Sequence, residues 1–205
     1  SVEQLAEMDE IADVEGAVSV DAVCAAGETN NIYKFHTVPG EINQVVLVAG
    51  RMPERADECL LDDVMYGEDA IGMQITVTDD NSEDTLEMFA GRTFTAVGIA
   101  RSPYYINFER GTTSIGDGRI AAFLYVPRKA FDCDYLTEIY VTAKEKYDIY
   151  SDEYEDYIGA ITDRVEEKTN LLAKGRYEEL LVTAQEKIDD AQTELDDKKA
   201  EAETE

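Results

Sequence analysis

The C-terminal segment places the tightest constraint on what this chain can fold into. From Arg176 to the end there is neither Gly nor Pro, so the sequence holds no strong helix breaker there. Apolar residues recur at alternating steps of three and four, which is the heptad seam of a coiled coil; they are Leu181, Ala184, Ile188, Ala191 and Leu195. Because most other positions are charged, we predict a coiled-coil helix over 176–205, with Leu181, Ile188 and Leu195 as candidate partner-binding residues. A plain amphipathic surface helix is the alternative interpretation.

The apolar runs upstream of that segment have the length of strands. The longest lie at 45–49 and 120–126, far short of the ~18–20 residues that a membrane helix needs. We predict buried strands at 44–49 and 120–126. Alternation of apolar and polar residues predicts further strands, at 17–23, 32–38, 58–61, 74–78, 93–100 and 138–142.

Helical spacing flanks this strand-rich part of the chain. Residues 2–11 predict a short amphipathic helix. Ser151 can cap a second helix, which Asn170 and Gly175 are expected to interrupt or end. The pattern as a whole therefore predicts an α+β fold.

The net charge of −28 at pH 7 excludes some classes of partner. An excess of acidic groups this large repels phosphate backbones, so we expect no nucleic acid partner. Docking on anionic lipid headgroups is disfavoured for the same reason, because those headgroups attract basic segments. A high net charge is also typical of soluble proteins.

The residues that most often carry chemistry are few and scattered. Cys24, Cys59 and Cys133 are widely spaced, and His36 is the only histidine, so we predict neither a zinc site nor a cysteine nucleophile with its base. The cysteines are interpreted as small buried apolar residues, although a disulfide between two of them stays open. The acidic loop 78–84 lacks the Gly and Glu of an EF-hand, which favours a solvated loop over a calcium site. We therefore predict no catalytic, cofactor-binding or metal-binding residues, and no enzyme.

A long irregular segment at 101–118 carries aromatic residues at Tyr104, Tyr105 and Phe108. Exposed aromatics on a loop form recognition surfaces, which makes these three residues candidates for partner binding. They can equally well plug the loop onto its own domain. Both interpretations stay open at this point.

Six segments resemble, in order, those of one permease family. Residues 50–53 read GRMP and residues 58–62 read ECLLD, which is similar to the "GR-x-P … E-hydrophobic-hydrophobic-D" segment of FtsX-like and MacB-like ABC permeases. The segments IGMQITV at 71–77 and FTAVGIA at 94–100 resemble the parts that follow it in that family. Further along, 102–127 and 135–141 are similar to large permeases of Gram-positive bacteria that carry a coiled-coil insertion.

The resemblance runs from about Val14 to the C-terminus and implies an architecture. It implies an α+β domain of the MacB-like periplasmic-core type, inserted between two membrane helices on the outer face of the membrane. One subdomain would comprise 1–40 and 127–175, and a mixed-β subdomain at 41–126 would be inserted in it. The helix at 176–205 would be the first half of a hairpin arm whose antiparallel partner follows.

The resemblance also implies a function, without any catalytic residue to carry over. It implies an extracellular domain of a permease in the cell membrane of a Gram-positive bacterium, coupling ATP-driven movement to export or to an outside partner. An ABC ATPase would be the partner of the membrane part, and a cell-envelope protein a partner of the coiled coil. A surface protein-binding module without a transport role is the alternative, while the residues disfavour an extracellular hydrolase.

Overall fold

The strands and helices were obtained from a computed structural model that describes residues 2–202, with side chains described for 2–193 and 198. The strands of this described part are β1 Ile11–Ala17, β2 Ser19–Ala26, β3 Thr29–Thr37, β4 Val46–Gly50, β5 Glu58–Asp62, β6 Gln74–Val77, β7 Thr93–Arg101, β8 Ala122–Val126 and β9 Glu138–Ala143. The α-helices are α1 Val2–Ala6, α2 Glu83–Glu87 and α3 Asp152–Ala202. The α+β class predicted from the sequence is confirmed.

Most strands belong to one seven-stranded sheet in the order β4-β7-β5-β8-β3-β2-β6. Strand β6 also pairs with β7, so the sheet curls round until its far strand meets β7 again. The pairs β3–β8 and β5–β7 are parallel and the others are antiparallel. The β2–β3 hairpin turns at Gly27, whose φ of 63° is readily adopted only by glycine.

The curled sheet encloses an aromatic core. Phe35 contacts Phe89 and Phe94 with ring centroids 4.9 and 5.2 Å apart, in the edge-on and tilted geometries that aromatic pairs prefer. Aliphatic side chains from β5, β6 and β8 complete this core. The predicted buried strand at 120–126 is confirmed for 122–126, because all five residues of β8 are buried, whereas 120 and 121 precede the strand.

Strand β4 corrects the sequence prediction for 44–49. That segment was predicted to be a buried strand, but Val46 and Val48 are 62% and 48% exposed. The physical reason is its position, since β4 lies at the edge of the sheet and hydrogen-bonds only to β7. An apolar run of strand length does not distinguish an edge strand from a central one.

The described chain divides into two compact units, of which the first comprises residues 13–142 with Val2 and contains the curled sheet. The second comprises residues 3–12 and the described chain from 143 onward. The predicted subdomains, 1–40 with 127–175 and 41–126, divide the chain differently. The difference arises because β2 and β3 pair with β6 and β8, which belong to the predicted insertion.

Helix α3 dominates the second unit. Ser151 accepts a hydrogen bond from the Tyr154 backbone at 3.1 Å, as predicted for its N-cap. The predicted interruption at Asn170 and Gly175 is wrong, because the helix runs through both without a break. A glycine inside a helix costs only about 1 kcal/mol relative to alanine, which does not end a helix of this length.

The predicted C-terminal helix is confirmed as far as Ala202, and residues 203–205 lie outside the described part. Leu181 and Ile188 are 51% and 61% exposed, whereas the side chain of Leu195 is not among those described. The predicted N-terminal helix is shorter than expected, because α1 ends at Ala6 and Ile11 begins β1. None of the helices over residues 2–202 is both long and apolar enough to cross a membrane.

Candidate functional site

Two glycines bring strands β4 and β7 into close backbone contact. A Cβ at Gly50, where φ is 76°, would lie 2.3 Å from the Val97 carbonyl oxygen, and a Cβ at Gly98 would lie 2.6 Å from the Arg51 carbonyl oxygen. Neither distance is sterically possible, so both positions require glycine. These glycines come from two different segments of the permease-like sequence, which therefore meet in space.

Arg51 and Glu58 close the turn between β4 and β5. The guanidinium of Arg51 donates to both carboxylate oxygens of Glu58, at 2.6 and 2.9 Å. The backbone N–H groups of Glu54 and Arg55 donate to the same carboxylate, at 2.8 and 3.1 Å. The hydrogen bonds from Arg51 and from these N–H groups hold the pKa of Glu58 far below its usual range. Both oxygens of the nearly buried Glu58 carboxylate therefore accept hydrogen bonds within the protein, which indicates a structural role for this pair.

A buried ion pair anchors the long loop 102–118 to the sheet. Arg110 donates through Nη2 to Asp62 Oδ1 at 2.9 Å and through Nε to the other oxygen, and both side chains are almost completely buried. Its remaining nitrogen donates to the Asn107 carbonyl. The guanidinium carbon also lies 5.4 Å from the centre of the Tyr105 ring and 5.5 Å from that of Phe123. The loop is irregular in sequence but is fixed at this point.

The three aromatic residues predicted for this loop divide between the two open interpretations. Tyr105 packs the loop onto its own domain, because its ring stacks on Phe123 at a centroid distance of 4.7 Å and its hydroxyl lies 2.6 Å from His36 Nε2. Tyr104 is 45% exposed and touches His36 edge-on. Phe108 is 85% exposed and is free to meet a partner.

The exposed tip of the loop is wider than the sequence indicated. Ile106, which the sequence analysis did not single out, is 93% exposed beside Phe108. Val64 and Met65, from the turn after β5, are 46% and 53% exposed. Ile106, Phe108 and Val64 line a groove of about 210 Å³. We call Val64, Met65, Ile106 and Phe108 the loop-tip patch. Its signal in the sequence is Phe108, which stands two places after Ile106 in the aromatic loop.

His36 belongs to a layer of polar and aromatic side chains beside the loop anchor. It is 2% exposed, its ring stacks on Tyr125 at 5.3 Å, and its Nδ1 lies 3.9 Å from Glu138. Burial lowers the pKa of His36 to about 4, against the opposing effect of the Glu138 carboxylate. The prediction of a histidine on a strand face is consistent with this environment.

Glu138 is held by hydrogen bonds as well as by His36. Ser19 donates to it at 2.6 Å and Tyr140 donates to its other oxygen. Partial burial alone would raise the pKa of Glu138, but these hydrogen bonds and the nearby His36 and Lys34 outweigh burial and lower it. A serine, a carboxylate and a histidine thus lie together, but the serine hydroxyl is bonded to the carboxylate rather than to the imidazole. This is not the order that activates a serine nucleophile.

The cysteines show no partner for redox or metal chemistry. All three are free, with Cys24 and Cys59 buried as predicted and Cys133 only partly buried. Burial raises the pKa of Cys24 to about 12 and raises that of Cys59 further, so both are held as thiols. Among the residues that the structure describes, no group of three or more His, Cys, Asp or Glu side chains is arranged to hold a metal ion.

The acidic loop 78–84 is explained by local hydrogen bonds. The Asn81 side chain accepts from the Val23 N–H and donates to the Val23 carbonyl, both at 2.8 Å, which fixes the loop against β2. Asp79 forms an ion pair with Arg92, and Ser82 caps α2 by accepting from Thr85 N–H. These contacts give Asp79, Asn81 and Ser82 partners within the protein.

Comparison with known proteins gives similarities of fold only. No known family matches the sequence, and no curated protein matches it. Among solved structures, the chain is similar to the extracellular domain of the noncanonic ABC-type transporter YknZ from Gram-positive bacteria, at 10% identity and a TM-score of 0.43 over 76% of this chain and 75% of that one. It is also similar to the periplasmic region of MacB from Actinobacillus actinomycetemcomitans, at 13% identity and a TM-score of 0.43 over 81% of this chain and 71% of that one. Both are of the kind that the sequence motifs resemble, but values this low establish neither a ligand nor a partner for this chain.

Proposed function

We propose that this chain is the extracellular domain of an ABC-type transport permease, with a role in contact and coupling rather than catalysis. The observation that carries the proposal is the meeting of the permease-like segments in the folded chain. Gly50 and Gly98 pack backbone to backbone, Arg51 pairs with Glu58, and Asp62 pairs with Arg110. The motif residues that define the resemblance therefore build one framework, and they do so by packing and ion pairing.

The two ends of the first unit lie close together, which is compatible with a domain inserted into a longer chain. Its first residue after the boundary, Asp13, donates its backbone N–H to the Thr142 hydroxyl at 3.1 Å, and Thr142 is its last residue. The chain thus enters and leaves the unit at neighbouring points. Entry and exit points that lie close together allow a domain to be inserted between two other segments.

The loop-tip patch is the part of this unit that we propose as its contact surface. Ile106 and Phe108 are almost fully exposed, while the Arg110–Asp62 pair and the Tyr105 stack hold the base of the loop in place. A pre-ordered apolar patch loses little conformational entropy on binding. This observation also supports the second candidate function, a surface module that binds protein without transport.

The finer parts of the proposal concern the cellular setting. We infer a location on the outer face of a Gram-positive cell membrane, an ABC ATPase as partner of the membrane part, and a cell-envelope protein as partner of the coiled coil. Coupling of ATP-driven movement to an outside event would then pass through a domain whose own side chains need no chemistry.

Labelling on intact cells tests the proposed location. The full-length gene product would carry Phe108→Cys and Cys133→Ser, and a membrane-impermeant maleimide would be added before and after lysis. Cys24 and Cys59 serve as internal controls, because they are buried and react only after denaturation. We expect Phe108→Cys to react on intact cells. Reaction only after lysis would contradict an outer location.

A further inference from the structure

The second half of α3 exposes an apolar seam, and none of the side chains described in its own unit covers it. Tyr177, Leu181 and Ile188 are 62%, 51% and 61% exposed. A helix gains most of its stability from packing against a neighbour, and exposed apolar stripes mark contact surfaces. We define the α3 seam as the six heptad positions whose side chains are described, which are Lys174, Tyr177, Leu181, Ala184, Ile188 and Ala191; Leu195 continues the repeat outside this set.

The spacing of the seam is symmetric about its own centre. If two copies of α3 lie antiparallel with a two-fold axis between Val182 and Thr183, every seam position faces a seam position of the other copy. Leu181 then lies level with Ala184, so that a large side chain faces a small one, as close packing requires. Further out, Tyr177 lies level with Ile188, and Lys174 with Ala191.

The charges along the helix are arranged to favour the same orientation. Residues 168–176 contain three cations, Lys168, Lys174 and Arg176, and no anion, whereas 178–190 contains five acidic residues and one Lys. The antiparallel register places Arg176 level with Asp189 of the second copy, and Lys174 beside Asp190. The two-fold axis repeats both contacts. A parallel arrangement would instead place cations against cations and acids against acids.

The same register has one unfavourable contact, which its neighbours offset. Glu179 lies level with Glu186 of the second copy, but Arg176 already forms an ion pair with Glu179 within its own helix, at 3.4 Å. Glu178 lies level with Lys187 of the second copy. The short-range balance is therefore attractive.

We propose that α3 binds a second copy of this chain through the α3 seam, in an antiparallel register centred between Val182 and Thr183, so that the second copy takes the place on this seam of the following helix and of the cell-envelope protein that the family resemblance implies. The chain carries a net charge of −28, which opposes association at long range. Salt at physiological strength screens charges beyond about 8 Å, whereas pairs in contact are screened much less. The register above therefore decides the orientation, and a short seam of this kind gives weak, concentration-dependent association.

Disulfide cross-linking tests the register. Two versions of the full 205-residue chain would be made, one with Tyr177→Cys and one with Ile188→Cys, both with Cys133→Ser. The proposal expects efficient cross-linking when the two are mixed, and little when either is alone, because like positions are then separated by 11 residues, or about 16 Å along the helix. Cross-linking of Tyr177→Cys with itself would show a parallel pair and overturn the proposal. So would a chain that stays monomeric in sedimentation at every concentration tested.

Charge reversal separates orientation from simple apolar association. Lys174→Glu with Arg176→Glu should weaken self-association at least about tenfold. Adding Asp189→Lys and Asp190→Lys to the same chain should restore it, because each helix then presents the reversed but still complementary pattern. This four-fold variant should not pair with the unmodified chain in an antiparallel register. Pairing between those two, or no effect of either change, would overturn the proposal. Helicity measured by circular dichroism confirms that each variant remains folded.

Discussion

The buried pair of Arg110 and Asp62 gives the sharpest test of how the loop is held. Replacing Arg110 by Ala leaves the Asp62 carboxylate, which is fully buried, without its partner. Breaking a buried ion pair on one side costs about 3–5 kcal/mol, a large share of the ~5–15 kcal/mol that typically stabilises a domain. Arg110 also covers the rings of Tyr105 and Phe123, which places the expected loss towards the upper end of that range.

The loss would be measured by urea unfolding of the full chain, followed through the near-ultraviolet circular dichroism of its tyrosines. With a denaturant slope of about 2 kcal/mol per molar, the midpoint should fall by roughly 2 M. Arg92→Ala is the matched control, because Arg92 and its partner Asp79 are 47% and 90% exposed, and exposed pairs contribute less than about 1 kcal/mol. The double change Arg110→Ala with Asp62→Ala should recover part of the loss, since no buried charge then remains unpaired. A cost below about 1 kcal/mol for Arg110→Ala would refute this account of the anchor.

Three further results are expected. The pKa of His36 in the folded chain is about 4, below its usual 6.5, so burying the neutral imidazole should destabilise the fold by about 3 kcal/mol as pH falls from 6.5 to 4; carboxylates lose stability over part of the same range, so pH-dependent urea unfolding should show a steeper slope in the natural chain than in His36→Gln. Tyr105→Ala should destabilise the chain by about 3 kcal/mol or more, because its ring is stacked on Phe123. Phe108→Ala should change stability by less than about 0.5 kcal/mol, because its ring lies in solvent. Equal effects of the two changes in thermal unfolding would contradict the assignment of Tyr105 as packed and Phe108 as exposed. Gly98→Ala should abolish cooperative unfolding or greatly reduce the melting temperature, because its Cβ would overlap a carbonyl oxygen; an unchanged melting temperature would show that β4 and β7 do not approach as described.

Sequence patterns predicted the helices and strands of this fold better than they predicted the burial of their side chains. Alternation identified β7, and helical spacing on each side of Gly175 identified the two parts of α3, because both signals are local. The exposure of Val46 could not be predicted, since whether a strand lies at an edge depends on pairings made elsewhere in the chain. Gly175 was read as a helix end because its intrinsic preference is unfavourable, but one residue does not outweigh the helix around it.

At the candidate site, too, the sequence indicated the segment but not the burial of its side chains. The sequence indicated the aromatic loop but could not separate Tyr105 from Phe108. Tyr105 stacks on Phe123 and bonds to His36, whereas Phe108 is exposed, and both contacts of Tyr105 are with residues distant in sequence. The pairing of Asp62 with Arg110 joins residues far apart in sequence, and a single chain carries no signal of that contact. Resemblance to a permease family indicated which segments matter, and the structure supplied the physical reason that they do.

Co-isolation from native membranes tests the proposed permease role most directly. The full-length gene product would be tagged, extracted from its own cells in mild detergent and purified, and its partners identified and quantified by mass spectrometry. The proposal predicts an ABC-type ATPase in fixed proportion, retained equally when Phe108→Ser removes part of the loop-tip patch. Recovery of the protein without any ATPase, under conditions that keep other membrane complexes intact, would contradict it.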